Sequence, residues 1–228
     1  MYTIFIAYFD LMSFYLLAFL QNKEFSHRYH LLTVSHAAAP WRWPKLFSDD
    51  WLQFVNEKHC HYTTELRFND GNLITQIDLS KHVYLHPTRD LAVLHLEEEQ
   101  EGVNLFKSLK LVTENSLLPM NAHPLSNLTP LWFHGHEVRE KQVFDEEEND
   151  KSVIPLDIQG HIHSRSAQQI FCHTKRILPL GMCGGPVKAT HQGQDYVAGL
   201  LEGIVPAEYA VEELRNKAVY MEAKSIEK

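Results

Sequence analysis

Cysteine is scarce in this chain: Cys60, Cys172 and Cys183 are the three present, an odd number with no repeating spacing. That excludes the disulfide framework of a small secreted domain and favours a reducing, intracellular compartment, cytoplasm or organelle. Clustered positive charge is missing too. The formal net charge is −8 and the charge runs are acidic, at Glu97–Glu99 and Asp145–Asp150; they read as solvated loops, and no nucleic-acid surface is expected. No internal repeat and no low-complexity tract is visible. The one long apolar run, Tyr2 to Leu20, lacks the basic flank of a signal peptide or anchor and is broken by Thr3, Asp10 and Ser13. An aspartate at the centre of a bilayer costs about 2.5–3.5 kcal/mol. Membrane anchoring or secretion through residues 1–20 therefore stands beside a second reading, in which Phe14–Leu20 is a buried strand.

What is present is ordinary globular material. With 228 residues, 44% of them hydrophobic and 22% charged, the chain can fill one large all-β domain or two small lobes. Apolar, β-capable runs recur at Tyr29–Val34, Leu52–Val55, Tyr62–Phe68, Leu73–Ile77, Val83–Leu85 and Asp90–Leu96. They resume at Trp132–Gly135, Val153–Ile162, Ala167–His173, Tyr196–Leu201 and Ala218–Glu222. Asn69-Asp70-Gly71-Asn72 is a hairpin signal and His86-Pro87-Thr88-Arg89 a turn. Such spacing predicts an antiparallel barrel or sandwich, with Glu97–Pro130 as the connection between lobes. Trp41–Trp51 is expected to be a loop packed down by its Trp side chains. Ala207, Ala210, Val211 and Leu214 fall at helical spacing after Pro206, so Pro206–Lys217 predicts a short amphipathic helix, and a terminal helix is expected from Ser225.

One stretch carries chemistry. In Gly181-Met182-Cys183-Gly184-Gly185-Pro186-Val187 a thiol sits between glycines, which suits a nucleophile on a tight exposed turn whose N–H groups gather round an oxyanion. A cysteine among Gly and Pro equally suits a buried bend, so the stretch needs partners elsewhere. His36 directly follows an apolar strand and Asp90 heads another, which supplies a base and an orienting carboxylate.

At this point the sequence resembles the trypsin/chymotrypsin-fold peptidases of the PA clan. Leu32-Thr33-Val34-Ser35-His36-Ala37 is similar to their histidine motif, Arg89-Asp90-Leu91-Ala92-Val93-Leu94 to their aspartate strand, and residues 181–187 to their nucleophile loop, with Cys in place of Ser. Gly-x-Cys-Gly-Gly also resembles the motif of chymotrypsin-like cysteine proteases of picornavirus type. The intervals, 54 residues from His36 to Asp90 and 93 from Asp90 to Cys183, suit two lobes. Val197–Gly203 resembles the substrate-binding strand and Val219-Tyr220 the last strand. The implied fold is all-β, two antiparallel six-stranded barrels with short helices near the C-terminus. Residues 1–110 would form the lobe with His36 and Asp90, and residues 111–228 the lobe with Cys183.

The resemblance implies an endopeptidase acting on polypeptide substrates through a Cys183-His36-Asp90 triad, with the backbone N–H groups of Gly181 and Cys183 as oxyanion hole. It places Ile177, Leu200, Leu201, Glu202 and Gly203 at the substrate. A thiol is only slightly ionised at neutral pH and a neighbouring imidazole raises its thiolate fraction, so Cys is a workable substitute for Ser. Met182 stands where the serine enzymes carry Asp, and no Ile-Val-Gly-Gly start is present, so activation by zymogen cleavage is not implied. Ile177 at the pocket floor implies an uncharged pocket, and Leu201 replaces the His with which viral cysteine enzymes read glutamine.

Two other readings remain open. The pairs His59/His61, His134/His136 and His161/His163 would each share one face of a strand, as zinc ligands do, but they form no compact ligand motif and no cofactor or metal is expected. The exchange of Ser for Cys also suits a protease-fold interaction protein with little turnover.

Overall fold

The computed structural model describes residues 2–5, 17–18, 30–47, 49–67, 73–79, 83–95, 125–140, 151–179 and 181–226. Within them the chain runs through β1 (Tyr2–Phe5), β2 (Leu17–Ala18) and β3 (His30–Thr33) into a single helical turn, α1 (Ser35–Ala38). Then come β4 (Cys60–Arg67), β5 (Leu73–Asp78), β6 (Val83–Leu85) and β7 (Ala92–His95). The C-terminal half has β8 (Pro130–Glu140), β9 (Lys151–Arg165), β10 (Ile170–Thr174), β11 (Pro186–His191), β12 (Gln194–Ile204), β13 (Ala218–Glu222) and a last turn, α2 (Ala223–Ile226).

Alternating apolar residues on β8 to β13 close into one six-stranded antiparallel barrel in the order β10-β13-β12-β11-β8-β9. Its interior holds Leu131, Phe133, Ile158, Ile162, Tyr196, Leu201 and Tyr220. The expected second barrel is not shown in the N-terminal half. Its described strands form two sheets, β1-β4-β5 and β2-β3-β7-β6, and no second closed barrel occurs among the described residues. The expected lobe boundary after residue 110, the acidic loop at 145–150 and the hairpin turn at 69–72 lie outside them, although β4 and β5 do pair antiparallel.

β3 and β7 are apolar on both faces because both faces are covered. Leu31, Ala92 and Leu94 face the N-terminal core with Tyr62 and Leu79. Leu32, Val34, Leu91 and Val93 face the other way, onto Val197 and Leu200 of β12. The sheet that carries the histidine motif is thus packed directly on the barrel wall.

Several local expectations change. Of the strand expected at Leu52–Val55, Leu52–Phe54 lie in a 3-10 helix, Asp50–Phe54, and Val55 caps it, because Leu52 alone is buried while Trp51 and Phe54 are exposed, a pattern with no strand alternation. Pro206–Lys217 is a loop with one 3-10 turn, Glu212–Leu214. Its apolar residues Ala207, Ala210 and Val211 stay exposed, so no buried stripe supports a helix; backbone bonds between Val205 and residues 216 and 217 pinch its base instead. β11 carries no strand signal of its own, because its first residues belong to the cysteine motif. The residues from 6 to 16 lie outside the described part, and the apolar start contributes two short strands, β1 beside β4 and β2 beside β3. Among the described residues no helix is long and apolar enough to cross a membrane.

Candidate active site

β3 delivers His36 onto α1, and Pro40 stops that helix after one turn. The turn is held from below: the buried Tyr62 hydroxyl donates to the Ala38 carbonyl at 3.0 Å. Asp90 arrives from the opposite side on the turn before β7. His86 shapes that turn, since its Nδ1 accepts from the N–H groups of Thr88 and Arg89 and its own N–H donates to the Leu91 carbonyl. The Arg89 guanidinium then reaches the Ser225 carbonyl on α2.

The two side chains meet as a tight pair. His36 Nδ1 and Asp90 Oδ2 are 2.6 Å apart, with about a tenth of each side chain exposed. The second carboxylate oxygen accepts from the His36 backbone N–H at 2.8 Å and from the Ser35 hydroxyl at 2.9 Å. Burial works against a charged imidazole, yet the Asp90 hydrogen bond together with the Cys183 thiol overcomes it and pushes His36 up to about 9. For Asp90 burial likewise opposes charge, and the His36 and Ser35 hydrogen bonds outweigh it, so its carboxyl lies below the usual carboxylate range. The rings of Trp43 and Phe47 flank the imidazole, each with its centroid 6.3 Å away, and fence it from one side.

Cys183 comes from the barrel. The turn at 181–185 is fixed by the Gly184 N–H on the Leu201 carbonyl and the Leu201 N–H on the Gly185 carbonyl, at 2.8 and 2.9 Å. It is wedged between the halves: a Cβ at Gly184 would lie 2.2 Å from Thr33 Oγ1, and one at Gly185 would lie 2.0 Å from the His134 carbonyl oxygen. Gly181 and Gly184 both take positive φ, 100° and 84°, which favours glycine. Among the described residues no protein acceptor is taken by the N–H groups of Gly181 and Cys183. The other two thiols are in different surroundings: burial holds Cys172 up to about 12 and also raises Cys60.

His36, Asp90 and Cys183 all line one cleft of about 830 Å³, together with Leu201, Glu202 and Gly203. A Cβ at Gly203 would lie 3.9 Å from the Cys183 sulfur, so β12 passes directly beside the thiol. Leu200 is elsewhere, fully buried in the layer between β12 and the N-terminal sheet. Ile177 is 62% exposed and off the cleft, while its neighbour Leu178 lines it. Met182 also lines the cleft and is buried.

No protein-family model and no curated protein matches this chain.

Chemically, the arrangement offers a thiol beside an imidazole whose far nitrogen is held by a carboxylate, in a cleft with room for a chain segment. Sequence reasoning missed Ser35, Trp43, Phe47 and Gln169. Ser35 adjoins the histidine and was a visible hydroxyl; the aromatic pair and Gln169 carry no signal without the fold. Among the described residues no group of His, Cys, Asp or Glu gathers as a metal-ligand set. His134 pairs with Asp157, His59 caps its own 3-10 turn through Asn56, and His161 and His163 pack against the ring of His173.

Proposed function

We propose that this chain is a cysteine peptidase of trypsin/chymotrypsin type, cleaving polypeptides through a covalent acyl-enzyme. The observation that carries the reading is the His36 imidazole, held on Nδ1 by Asp90 at 2.6 Å and lining one large cleft with Cys183, whose thiol helps to raise its pKa. With Nδ1 occupied, Nε2 is the nitrogen left for sulfur. Raised to about 9, the imidazole already holds the proton drawn from Cys183 when Sγ attacks the scissile carbonyl carbon, and Nε2 gives that proton to the departing amine. The thioester is then opened by water, whose proton His36 accepts before giving it back to the sulfur. The N–H groups of Gly181 and Cys183 are the donors for the oxyanion at each step. Asp90 fixes the tautomer and stabilises the imidazolium without itself being protonated. Ser35 and the His36 backbone N–H keep the carboxylate in place, and the apolar rim of Trp43, Leu46 and Phe47 borders the peptide.

Two measurements test the reading. A thiol-reactive probe at neutral pH is expected to label Cys183 well before Cys60 and Cys172, and His36→Ala is expected to remove that preference; equal, slow labelling of all three thiols would sink the activated pair. A peptide-library cleavage assay should give products with the wild type and none with Cys183→Ala. Identical profiles would leave a protease-fold interaction protein with little turnover.

A further inference from the structure

The cleft holds a carboxylate that the proposed chemistry does not use. Glu202 lies on β12 at a β-bulge: Leu201 pairs with Tyr220 and Gly203 with Val219, so Glu202 is the extra residue, opposite no partner on β13. A bulge re-aims the side chain it carries, and Glu202 is among the residues that line the cleft. Its neighbour Gly203 leaves the space beside the Cys183 sulfur open. One carboxylate oxygen, Oε2, accepts from the Gln169 side-chain amide at 2.8 Å. Gln169 is in turn set by the Ser166 turn, whose hydroxyl accepts from its N–H at 3.0 Å and whose own N–H donates to its carbonyl at 2.8 Å. Among the described residues no lysine or arginine forms an ion pair with Glu202. The other charged groups that reach it are Asp90, which repels it, and His36.

A largely desolvated carboxylate with a single neutral donor is left electrostatically unsatisfied, and burial accordingly raises its pKa. Arg89, the cation among the residues that line the cleft, is turned to the Ser225 carbonyl instead. A carboxylate in this position is completed by a ligand that brings its own positive charge and N–H donors.

We infer that Glu202, oriented by Gln169, is the specificity-determining residue of the cleft and selects peptides that carry an arginine or lysine side chain next to the bond held at Cys183. The inference rests on the peptidase reading for what happens to the peptide, but not for its binding. An uncharged pocket, which Ile177 suggested, is not what the cleft presents, since Ile177 is outside it and a carboxylate is inside.

Binding to the Cys183→Ala protein separates the two questions, because it needs no turnover. Short capped peptides with arginine, lysine, norleucine or glutamate scanned through each position would be titrated by calorimetry. The expected result is one position at which arginine or lysine binds on the order of tenfold to a hundredfold tighter than norleucine, with that ratio collapsing in Cys183→Ala/Glu202→Gln and reduced in Cys183→Ala/Gln169→Ala. Equal binding of arginine and norleucine peptides, a ratio unchanged by Glu202→Gln, or no peptide binding overturns the inference. Cleavage by the wild type without such a preference would overturn it and leave the peptidase reading intact. A preference that depends on Glu202 in a protein that cleaves nothing would overturn the peptidase reading and leave the recognition site standing.

Discussion

His36 is the residue on which the most interactions converge, and it makes the site sensitive to pH in a defined direction. Its ordinary value of 6.5 is raised to about 9 in the folded chain, so its partners stabilise the fold fully below pH 6.5 and that contribution is lost as pH rises from 6.5 to 9. A shift of this size corresponds to on the order of 3 kcal/mol. Urea denaturation at intervals across that window should show wild-type stability falling, and His36→Gln should flatten the alkaline limb. The Asp90 carboxyl is lowered, so its share is present above the ordinary carboxylate value and disappears as pH falls through the lowered one. Both shifts describe the same pair and are not added. Replacing Asp90 with Asn removes the main group that raises the imidazole; NMR titration of His36 should then give a midpoint well below 9, and an unmoved midpoint would assign the shift to another neighbour.

At the scale of elements, the turn at 181–185 and the bulged end of β12 are the parts that make a site out of a barrel wall. Gly184 combines φ of 84° with an approach to Thr33 that leaves no room for a methyl group. Gly184→Ala is expected to destabilise the protein by about 2 kcal/mol or more and to slow labelling of Cys183. Adding Thr33→Ala should recover only the steric part of that loss, because the backbone conformation stays unfavourable; full recovery would show that φ is not strained. β12 has a second irregularity, where Val187 faces Gly199 but Lys188 faces Val197. It makes Ala198 an extra residue and resets the alternation, so that Leu200 turns toward the N-terminal sheet while Leu201 turns into the barrel. The resemblance carries a whole stretch of strand to the substrate without registering such a reset, so it takes Leu200 along with Leu201.

Across the whole molecule, the layer between β12 and the β3/β7 sheet holds His36 and Asp90 opposite Cys183. Leu200 and Leu32 are both fully buried there. Leu200→Ala should cost about 2–5 kcal/mol and also lower the reactivity of Cys183 in proportion to the lost registry of the halves; a loss of stability with unchanged labelling would show that the two halves do not depend on this layer for alignment. Much was legible in advance. The all-β class, most strands and the turn before Asp90 follow from local alternation and turn chemistry, which act over a few residues, while His36, Asp90 and Cys183 stand out through the motifs that carry the family resemblance. The closed barrel in the C-terminal half, the two sheets formed by the described strands of the N-terminal half, the loop in place of a helix at 206–217 and the exclusion of Ile177 from the cleft follow from neither. Each depends on which surface meets which at long range, and the chain alone does not encode that in any short window. The sequence by itself determined which chemical groups are available and in what order. Tertiary packing decided that a histidine, a carboxylate and a thiol share one cleft, and that Glu202 lines it with them, because only burial between two layers brings residues so far apart in the chain to one place.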